Sequence, residues 1–249
     1  MQQLPLGVRL PDRAIFASFL PARNREALEH ARRAAAGEAA GATWICGPES
    51  AGKTHLLQAI CSQAAESRRA GYFPLAELAP MGVGVLEGLP QLQCVCLDDL
   101  EAVAGRPEWE RALFGLLREV EEGGGTLVMA ARPPPALIAW TLPDLGSRCS
   151  AGSVLALRAL DEREQQQALQ LRARLRGVEL PEETCRWLQR RFPRDMRRLY
   201  GLLDTLDEAA LAAQRRLTVP FIREVLGLAS AHRQRRAQRG TTLAERAAE

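Results

Sequence analysis

Lysine is almost absent from this sequence. Of its 33 lysine and arginine residues, one is a lysine, Lys53, and it lies within the stretch GPESAGKT from Gly47 to Thr54. A compact ammonium group fits a cradle of phosphate-binding groups better than a bulkier, forked guanidinium does. The presence of a lysine here, in a chain that otherwise uses arginine, therefore indicates that Lys53 binds phosphate.

Other absences narrow the class of protein. The chain has no basic-then-apolar leader and no apolar run of about 18 residues or more, which argues against secretion and membrane spanning. None of its six cysteines forms a C-x-x-C pair, so we expect reduced core residues rather than metal ligands or disulfides. The net charge of +3 is too small to indicate a nucleic-acid or membrane partner by itself. These features predict a cytoplasmic globular protein with no membrane partner.

The stretch GPESAGKT matches the pattern G-x-x-x-x-G-K-[ST], in which backbone N–H groups surround a phosphate, the lysine reaches the terminal phosphates and the hydroxyl holds Mg²⁺. The preceding ATWIC is typical of a buried strand, and apolar residues from Leu56 to Ala64 recur at helical spacing behind the loop. We therefore predict binding of ADP or ATP with Mg²⁺, an accidental glycine-rich turn being the alternative. The predicted nucleotide-binding residues are Gly47, Pro48, Ser50, Ala51, Gly52, Lys53, Thr54 and His55.

Apolar runs alternate with helical patterns from about residue 22 to residue 158. The sequence predicts further strands at Tyr72–Leu75, Cys94–Leu97, Thr126–Met129 and Val154–Leu157, and a helix at Pro107–Glu122. This alternation implies an α/β fold with a parallel sheet covered by helices on both faces. A nucleotide would then lie at the carboxyl ends of the strands.

Beyond about residue 160 the periodicity is helical only. Asp161 can cap a first helix that Gly177 ends, Pro181 can open a second, and a third begins near Arg194. The segment TVPFIREVLGL predicts a short final helix. We therefore expect a flexible N-terminal segment at 1–20, an α/β nucleotide-binding domain at 21–159, a small all-α domain at 160–228 and a disordered arginine-rich tail at 229–249.

Two carboxylates end the apolar run CVCLDD. Asp98 is placed to act near a nucleotide-bound Mg²⁺ together with Thr54, and Asp99 to polarise an attacking water. An ordinary acidic turn after a strand is the alternative. The phosphate-binding loop upstream favours the functional interpretation.

The phosphate-binding loop, the acidic strand end and the helical C-terminal domain together resemble the AAA+ ATPases. Within that group, the stretches LPDRAIFASFLP, LGSRCSAGS, LQLRARLRGVELPEE and RDMRRLYGLLDTLD resemble the Hda proteins, which are regulatory inactivators related to the replication initiator DnaA. The resemblance covers residues 1 to about 228, with the motifs in the family's order. It implies an AAA+ sheet domain followed by a helical lid domain.

The resemblance assigns roles to two arginines. Arg148 of LGSR corresponds to the arginine finger, which places a cation against phosphate charge in a neighbouring subunit's site. Arg197 of RDMRRLY corresponds to the sensor 2 arginine, which reaches from the lid to the bound nucleotide. Taken singly, each would be one of many surface arginines, but the motif context favours the functional roles.

Two positions bear on hydrolysis. The strand TLVMAA ends at Ala131, where related initiators carry a polar sensor 1 residue, and Asp99 is shorter than the glutamate of many AAA+ ATPases. We therefore expect this chain to bind nucleotide but to hydrolyse it slowly or not at all in its own site.

The N-terminal residues Gln3, Leu4 and Leu6 resemble the short sliding-clamp-binding peptide of Hda proteins. Such a peptide inserts a glutamine amide and spaced apolar side chains into a preformed groove. Gly7 and Val8 stand where a second apolar pair is usual, so an ordinary frayed terminus is the alternative.

The resemblance implies a negative regulator of chromosomal replication initiation. With ADP bound, and attached to the DNA-loaded sliding clamp, the β subunit of DNA polymerase III, such a protein stimulates ATP hydrolysis by DnaA. It would contact DNA indirectly, through the clamp at the nucleoid, and a homo-oligomer is compatible with the sequence. The alternative is a DNA-directed AAA+ ATPase, such as a helicase loader or a truncated initiator, whose arginine-rich tail contacts phosphates.

Overall fold

The computed structural model describes residues 14–39, 41–192 and 196–227. The chain divides into two compact units, one that ends at Asp161 and one that begins at Glu162. The predicted clamp-binding residues Gln3, Leu4 and Leu6 and the predicted tail at 229–249 lie outside the described residues.

The first unit is built on a parallel sheet. In the described part of this unit the five strands are β1 (Thr43–Cys46), β2 (Ala70–Pro74), β3 (Cys94–Asp98), β4 (Thr126–Ala131) and β5 (Ser153–Ala156), in the order β2-β3-β4-β1-β5. Neighbouring strands all pair in parallel, so their carboxyl ends share one edge of the sheet. The predicted α/β class is confirmed. The predicted strand Tyr72–Leu75 is displaced, because Leu75 already begins a short helix after the extended Pro74.

Helices cover both faces of this sheet, as predicted. The first unit contains α1 (Arg25–Ala36), α2 (Lys53–Ala64), α3 (Leu75–Leu78), α4 (Pro107–Glu122) and α5 (Pro143–Ala151). Leu28 of α1 and Leu57 of α2 share a buried cluster with Ile45 of β1. On the other face, Leu117 of α4 and Leu145 of α5 share a second cluster with Trp44. Burial of these side chains from water supplies the main favourable free energy for the arrangement.

The helix predicted at Pro107–Glu122 is confirmed at both ends. Within it, Glu110 is fully buried and accepts hydrogen bonds from the N–H groups of Gly105 and Leu142, each at 2.7 Å, and from the Thr141 hydroxyl at 2.6 Å. Burial alone would raise the pKa of Glu110, but the hydrogen bonds from Thr141, Gly105 and Leu142 outweigh it and lower the pKa. Glu110 therefore ties the start of α4 to the residues that lead into α5.

The second unit is helical. It contains α6 (Glu162–Leu175), α7 (Glu182–Arg191), α8 (Met196–Ala213) and α9 (Val219–Val225). Arg176, which directly follows α6 and has a side chain that is 6% exposed, pairs with Asp204 and Asp207 of α8, so the end of α6 and α8 are joined by charge as well as by apolar packing. Among the helices in the described part of the chain, none is long and apolar enough to cross a membrane.

Candidate functional site

The loop between β1 and α2 turns through backbone conformations that favour glycine. Gly47, Ser50 and Gly52 have φ values of 149°, 59° and 99°, and a Cβ at Gly47 would lie 2.6 Å from the Leu157 carbonyl oxygen. This sharp turn starts α2 at Lys53. The first N–H groups of a helix have no acceptor within it, so the loop and the helix start together favour an anion.

The Lys53 side chain lies across this loop. Its Nζ donates hydrogen bonds to the carbonyls of Gly47 at 2.8 Å and Pro48 at 3.0 Å. Burial lowers the pKa of Lys53, and the carboxylates of Glu101 and Asp98 oppose that shift. The loop thus combines a cation, glycine conformations and a helix N-terminus, and these features fit the phosphates of a nucleotide.

The other predicted residues of the loop differ in exposure. Pro48 is exposed, Ala51 is buried and Thr54 lies in the first turn of α2. The ring of His55 has a different environment, because its Nε2 lies 3.1 Å from both the Ser18 hydroxyl and the Ile15 carbonyl oxygen. The ring therefore holds the preceding chain against α2, and the predicted role of His55 toward a nucleotide would use its backbone.

The acidic end of β3 is held by its neighbour β2. Asp98 is 1% exposed and accepts a hydrogen bond from the Tyr72 hydroxyl at 2.9 Å and one from the Asp99 N–H at 3.0 Å. Burial, followed by the charge of Asp98, raises the pKa of Tyr72. Asp99 adopts the left-handed conformation, with φ at 54°, which directs the chain away from the strand.

A magnesium ion at this edge would depend on the nucleotide. Throughout residues 14–39, 41–192 and 196–227, no group of three or more histidine, cysteine, aspartate or glutamate side chains is arranged to hold a metal. Thr54 and Asp98 could supply two oxygen ligands, and phosphate and water oxygens would complete the preferred octahedron.

Next to the end of β4 lies an ion pair, Glu101–Arg132, that we did not predict from the sequence. Ala131 is fully buried and pairs in register with Cys46. Its methyl side chain offers no polar group. The next residue, Arg132, has its backbone N–H 3.3 Å and its Nε 3.5 Å from Glu101 Oε1. The Arg132 carbonyl accepts a hydrogen bond from the Gly47 N–H at 3.1 Å. Glu101 and Arg132 therefore lie beside the phosphate-binding loop.

Arg148 lies away from the phosphate-binding loop. Its Nη1 is 3.2 Å from Glu121 Oε2 and its guanidinium carbon is 5.4 Å from the centre of the Phe114 ring, while 46% of its side chain remains exposed. Glu121 is at the end of α4, just before β4, and Arg148 is near the end of α5, just before β5. In a parallel sheet this is the edge opposite the phosphate-binding loop. The structure therefore separates Arg148 from Lys53 and Asp98.

The two apolar residues at the start of LGSR, Leu145 and Gly146, determine how α5 packs. Leu145 is buried, and a Cβ at Gly146 would lie 2.4 Å from Trp140 Cδ1. Glycine thus lets α5 pack closely against the Trp140 ring. This contact orients the helix that carries Arg148.

Arg197, the predicted sensor 2 residue, is the second residue of α8. Its side chain is not among the described ones. Its role toward a nucleotide therefore stays a prediction.

Comparison with known proteins finds a family match in the second unit and structural likenesses over most of the chain. Residues 161–226 match the family model described as Hda, lid domain. Domain III of the replication initiation protein DnaA from Thermotoga maritima is similar over 87% of this chain and 96% of its own, with a TM-score of 0.68 and 22% identity. At this identity the likeness establishes the fold.

Two further structures extend the comparison. DnaA from Aquifex aeolicus, bound to AMPPCP, is similar over 79% of this chain and 66% of its own, with a TM-score of 0.64 and 20% identity. A RuvB variant from Thermotoga maritima is similar over 83% of this chain and 67% of its own, with a TM-score of 0.58 and 17% identity. The fold is thus that of the AAA+ proteins, with a lid of the Hda type.

Proposed function

Because this chain joins a DnaA-like AAA+ fold to an Hda-type lid domain, we propose that it is a negative regulator of chromosomal replication initiation. It binds ADP, attaches to the DNA-loaded sliding clamp and stimulates ATP hydrolysis by DnaA, which leaves the initiator inactive. It acts in the cytoplasm, at the nucleoid.

The position of Arg148 carries this proposal. The side chain is half-exposed at the sheet edge opposite its own phosphate-binding loop, and Glu121 and Phe114 hold it on the surface. A guanidinium held in this way loses little conformational freedom when it meets a phosphate. Placed in the nucleotide site of DnaA, it would stabilise the charge that develops on the transferred phosphoryl group.

The chain's own site is suited to binding rather than turnover. Lys53 and the helix start would hold the phosphates, and Thr54 and Asp98 would hold Mg²⁺; the sensor 2 role of Arg197 stays a prediction. Asp99 is the residue available to polarise water, but Ala131 is apolar and fully buried. We expect slow or absent hydrolysis, and a turnover rate comparable to that of an active AAA+ ATPase would contradict this part of the proposal.

Clamp attachment belongs to Gln3, Leu4 and Leu6. The first described residues after this segment are held against α2, since Phe19 packs edge-on against the His55 ring, with the ring centres 5.5 Å apart. In the sequence, residues 7–13 separate the clamp-binding peptide from the first described residue. A nearby anchored peptide raises the effective concentration of Arg148 around DnaA that is close to the clamp.

The test is hydrolysis of radiolabelled ATP preloaded on DnaA. The reaction is run with DNA-loaded clamp or without it, and with the unmodified chain or its Arg148→Ala variant. We expect stimulation that requires both the clamp and Arg148. No stimulation under any condition, by a chain that binds ADP normally, would refute the proposal.

A DNA-directed AAA+ ATPase is the second candidate. One observation favours it: a DnaA structure bound to AMPPCP and single-stranded DNA is similar over 83% of this chain, with a TM-score of 0.65 and 19% identity. Direct DNA binding would weaken steeply with salt. Titration of the isolated chain with single-stranded DNA at two salt concentrations separates the candidates, since the regulator needs the clamp to reach DNA.

A further inference from the structure

A second cation lies beside the phosphate-binding loop. Arg132 follows β4 directly, its side chain is 66% exposed, and its backbone carbonyl accepts the Gly47 N–H at 3.1 Å. Lys53 bonds to the carbonyl of the same Gly47 at 2.8 Å. The backbone carbonyl of Arg132 and the ammonium group of Lys53 therefore bond to the N–H and the carbonyl of the same glycine.

A carboxylate pairs with Arg132 beside this loop. Glu101 Oε1 lies 3.3 Å from the Arg132 N–H and 3.5 Å from its Nε. The other oxygen, Oε2, is buried and has no hydrogen-bond partner among the described residues. A buried carboxylate oxygen without a donor is unfavourable, so Glu101 is held in this position by its pairing with Arg132.

The charge of Glu101 also acts on Lys53. Burial lowers the pKa of Lys53, and among the nearby charges Glu101 opposes that shift most strongly, ahead of Asp98. The geometry places Glu101 against Arg132, with Oε1 3.3 Å from the backbone nitrogen and 3.5 Å from Nε. The additional phosphate of a triphosphate would compete with Glu101 for Arg132, and the Glu101 carboxylate would repel its negative charge.

We propose that Glu101 is a specificity-determining residue that makes this site favour a nucleoside diphosphate over a triphosphate. The proposal rests on the nucleotide site proposed above and gives a cause for its ADP-bound state. Glu101 neutralises Arg132, the cation that the terminal phosphate of a triphosphate would otherwise contact. Arg132 is the cation released to that phosphate when Glu101 is removed.

The experiment measures the ratio of ADP to ATP affinity by competition against a fluorescent ADP with Mg²⁺ present. In Glu101→Gln the amide oxygen can still accept the Arg132 N–H while the charge is lost, and we expect ATP affinity to rise about fivefold relative to ADP affinity. In Arg132→Gln we expect ATP affinity to fall about fivefold relative to ADP affinity, because the charge of Glu101 is then no longer neutralised and repels the additional phosphate.

The matched control is Glu122→Gln. Glu122 also pairs with an arginine, Arg118 at 3.6 Å, but on the exposed surface of α4. We expect its affinity ratio to equal that of the unmodified chain. Thermal unfolding of each variant, without nucleotide, checks that the fold is retained.

The outcomes separate this proposal from the one it rests on. An unchanged ratio in folded Glu101→Gln, with ADP binding retained, would overturn the role of Glu101 and leave the nucleotide site intact. Absence of binding of either nucleotide by the unmodified chain would refute the nucleotide site itself. A ratio that shifts toward ATP in Glu101→Gln and not in Glu122→Gln supports the proposal.

Discussion

The two edges of the parallel sheet differ in how they hold their cations. At the carboxyl edge, Lys53 and Arg132 lie among backbone carbonyls and the carboxylates of Glu101 and Asp98. At the amino edge, Arg148 rests on one carboxylate, Glu121, and one ring, Phe114, and stays half-exposed. Under the proposed function, the first edge encloses an anion in the chain's own site, and the second presents a cation to another molecule.

The same two helices, α4 and α5, connect these edges. Near the carboxyl edge, Glu110 bonds to Thr141 and Leu142 ahead of α5. Near the amino edge, Glu121 pairs with Arg148. The buried contact determines where α5 lies, and the exposed contact determines how Arg148 is presented. This division predicts separable effects of mutation at the two edges.

Glu110→Ala should have the largest effect on stability. The change leaves the N–H groups of Gly105 and Leu142 and the Thr141 hydroxyl without their acceptor, so we expect a loss of about 3 kcal/mol in the free energy of unfolding. Chemical denaturation measures it. Glu108→Ala, at an exposed position in the first turn of α4, is the control and should change stability little.

The pH dependence of this difference checks its cause. The pKa of Glu110 in the folded protein lies below its ordinary value of 4.5, so its contribution is present at neutral pH and is lost as pH falls through the folded-state pKa. The gap in stability between the unmodified chain and Glu110→Ala should therefore narrow in acid. A gap that is constant from neutral pH to acid would contradict the role assigned to the carboxylate.

Lys53→Ala tests the carboxyl edge alone. Loss of the ammonium that faces the phosphates should weaken ADP binding about a hundredfold, as measured by fluorescence titration. Binding of the chain to the sliding clamp should be unchanged. If ADP affinity stayed within a factor of two, Lys53 would not be the phosphate-binding residue.

Gly146→Ala tests how α5 is positioned. The added Cβ would lie 2.4 Å from Trp140 Cδ1, so the helix must shift, and we expect a loss of about 2 kcal/mol of stability together with weaker stimulation of DnaA. Gly115→Ala on α4 is the control, because a Cβ there would meet no atom closer than 4.0 Å. That variant should be neutral or slightly stabilising. Equal effects of the two changes would contradict close packing at Gly146.

Glu121→Gln should have the smallest effect. The pair with Arg148 is partly exposed, so its loss should change stability by only about 0.5 kcal/mol. DnaA stimulation should nevertheless change by a few fold, because the guanidinium is no longer held in one orientation. Unaltered stimulation would show that the orientation of Arg148 in the free chain is not needed.

Much of the fold was predictable from the sequence. Pro107 and the glycines from Gly123 specify both ends of α4, and the loop GPESAGKT specifies the β1–α2 turn. The helix α5 was not predicted, because Pro143–Ala151 is only nine residues long and contains Gly146. Its place in the fold depends on the packing of Trp140, which is a tertiary contact.

The candidate site was predictable only in part. Residues joined by a local motif, such as Lys53 and Thr54, follow from spacing. The Glu101–Arg132 and Tyr72–Asp98 pairs do not, because each depends on which strands are neighbours and in what register, as in the pairing of Leu97 with Met129. A single sequence without strand order carries no signal for such pairs.

Titration of fluorescent ADP onto Arg148→Ala, beside Lys53→Ala and the unmodified chain, tests most directly whether the two edges act separately. We expect Arg148→Ala to bind ADP as tightly as the unmodified chain while it no longer stimulates DnaA. A loss of ADP affinity in Arg148→Ala comparable to that in Lys53→Ala would contradict this expectation, since Arg148 would then act in its own chain's site.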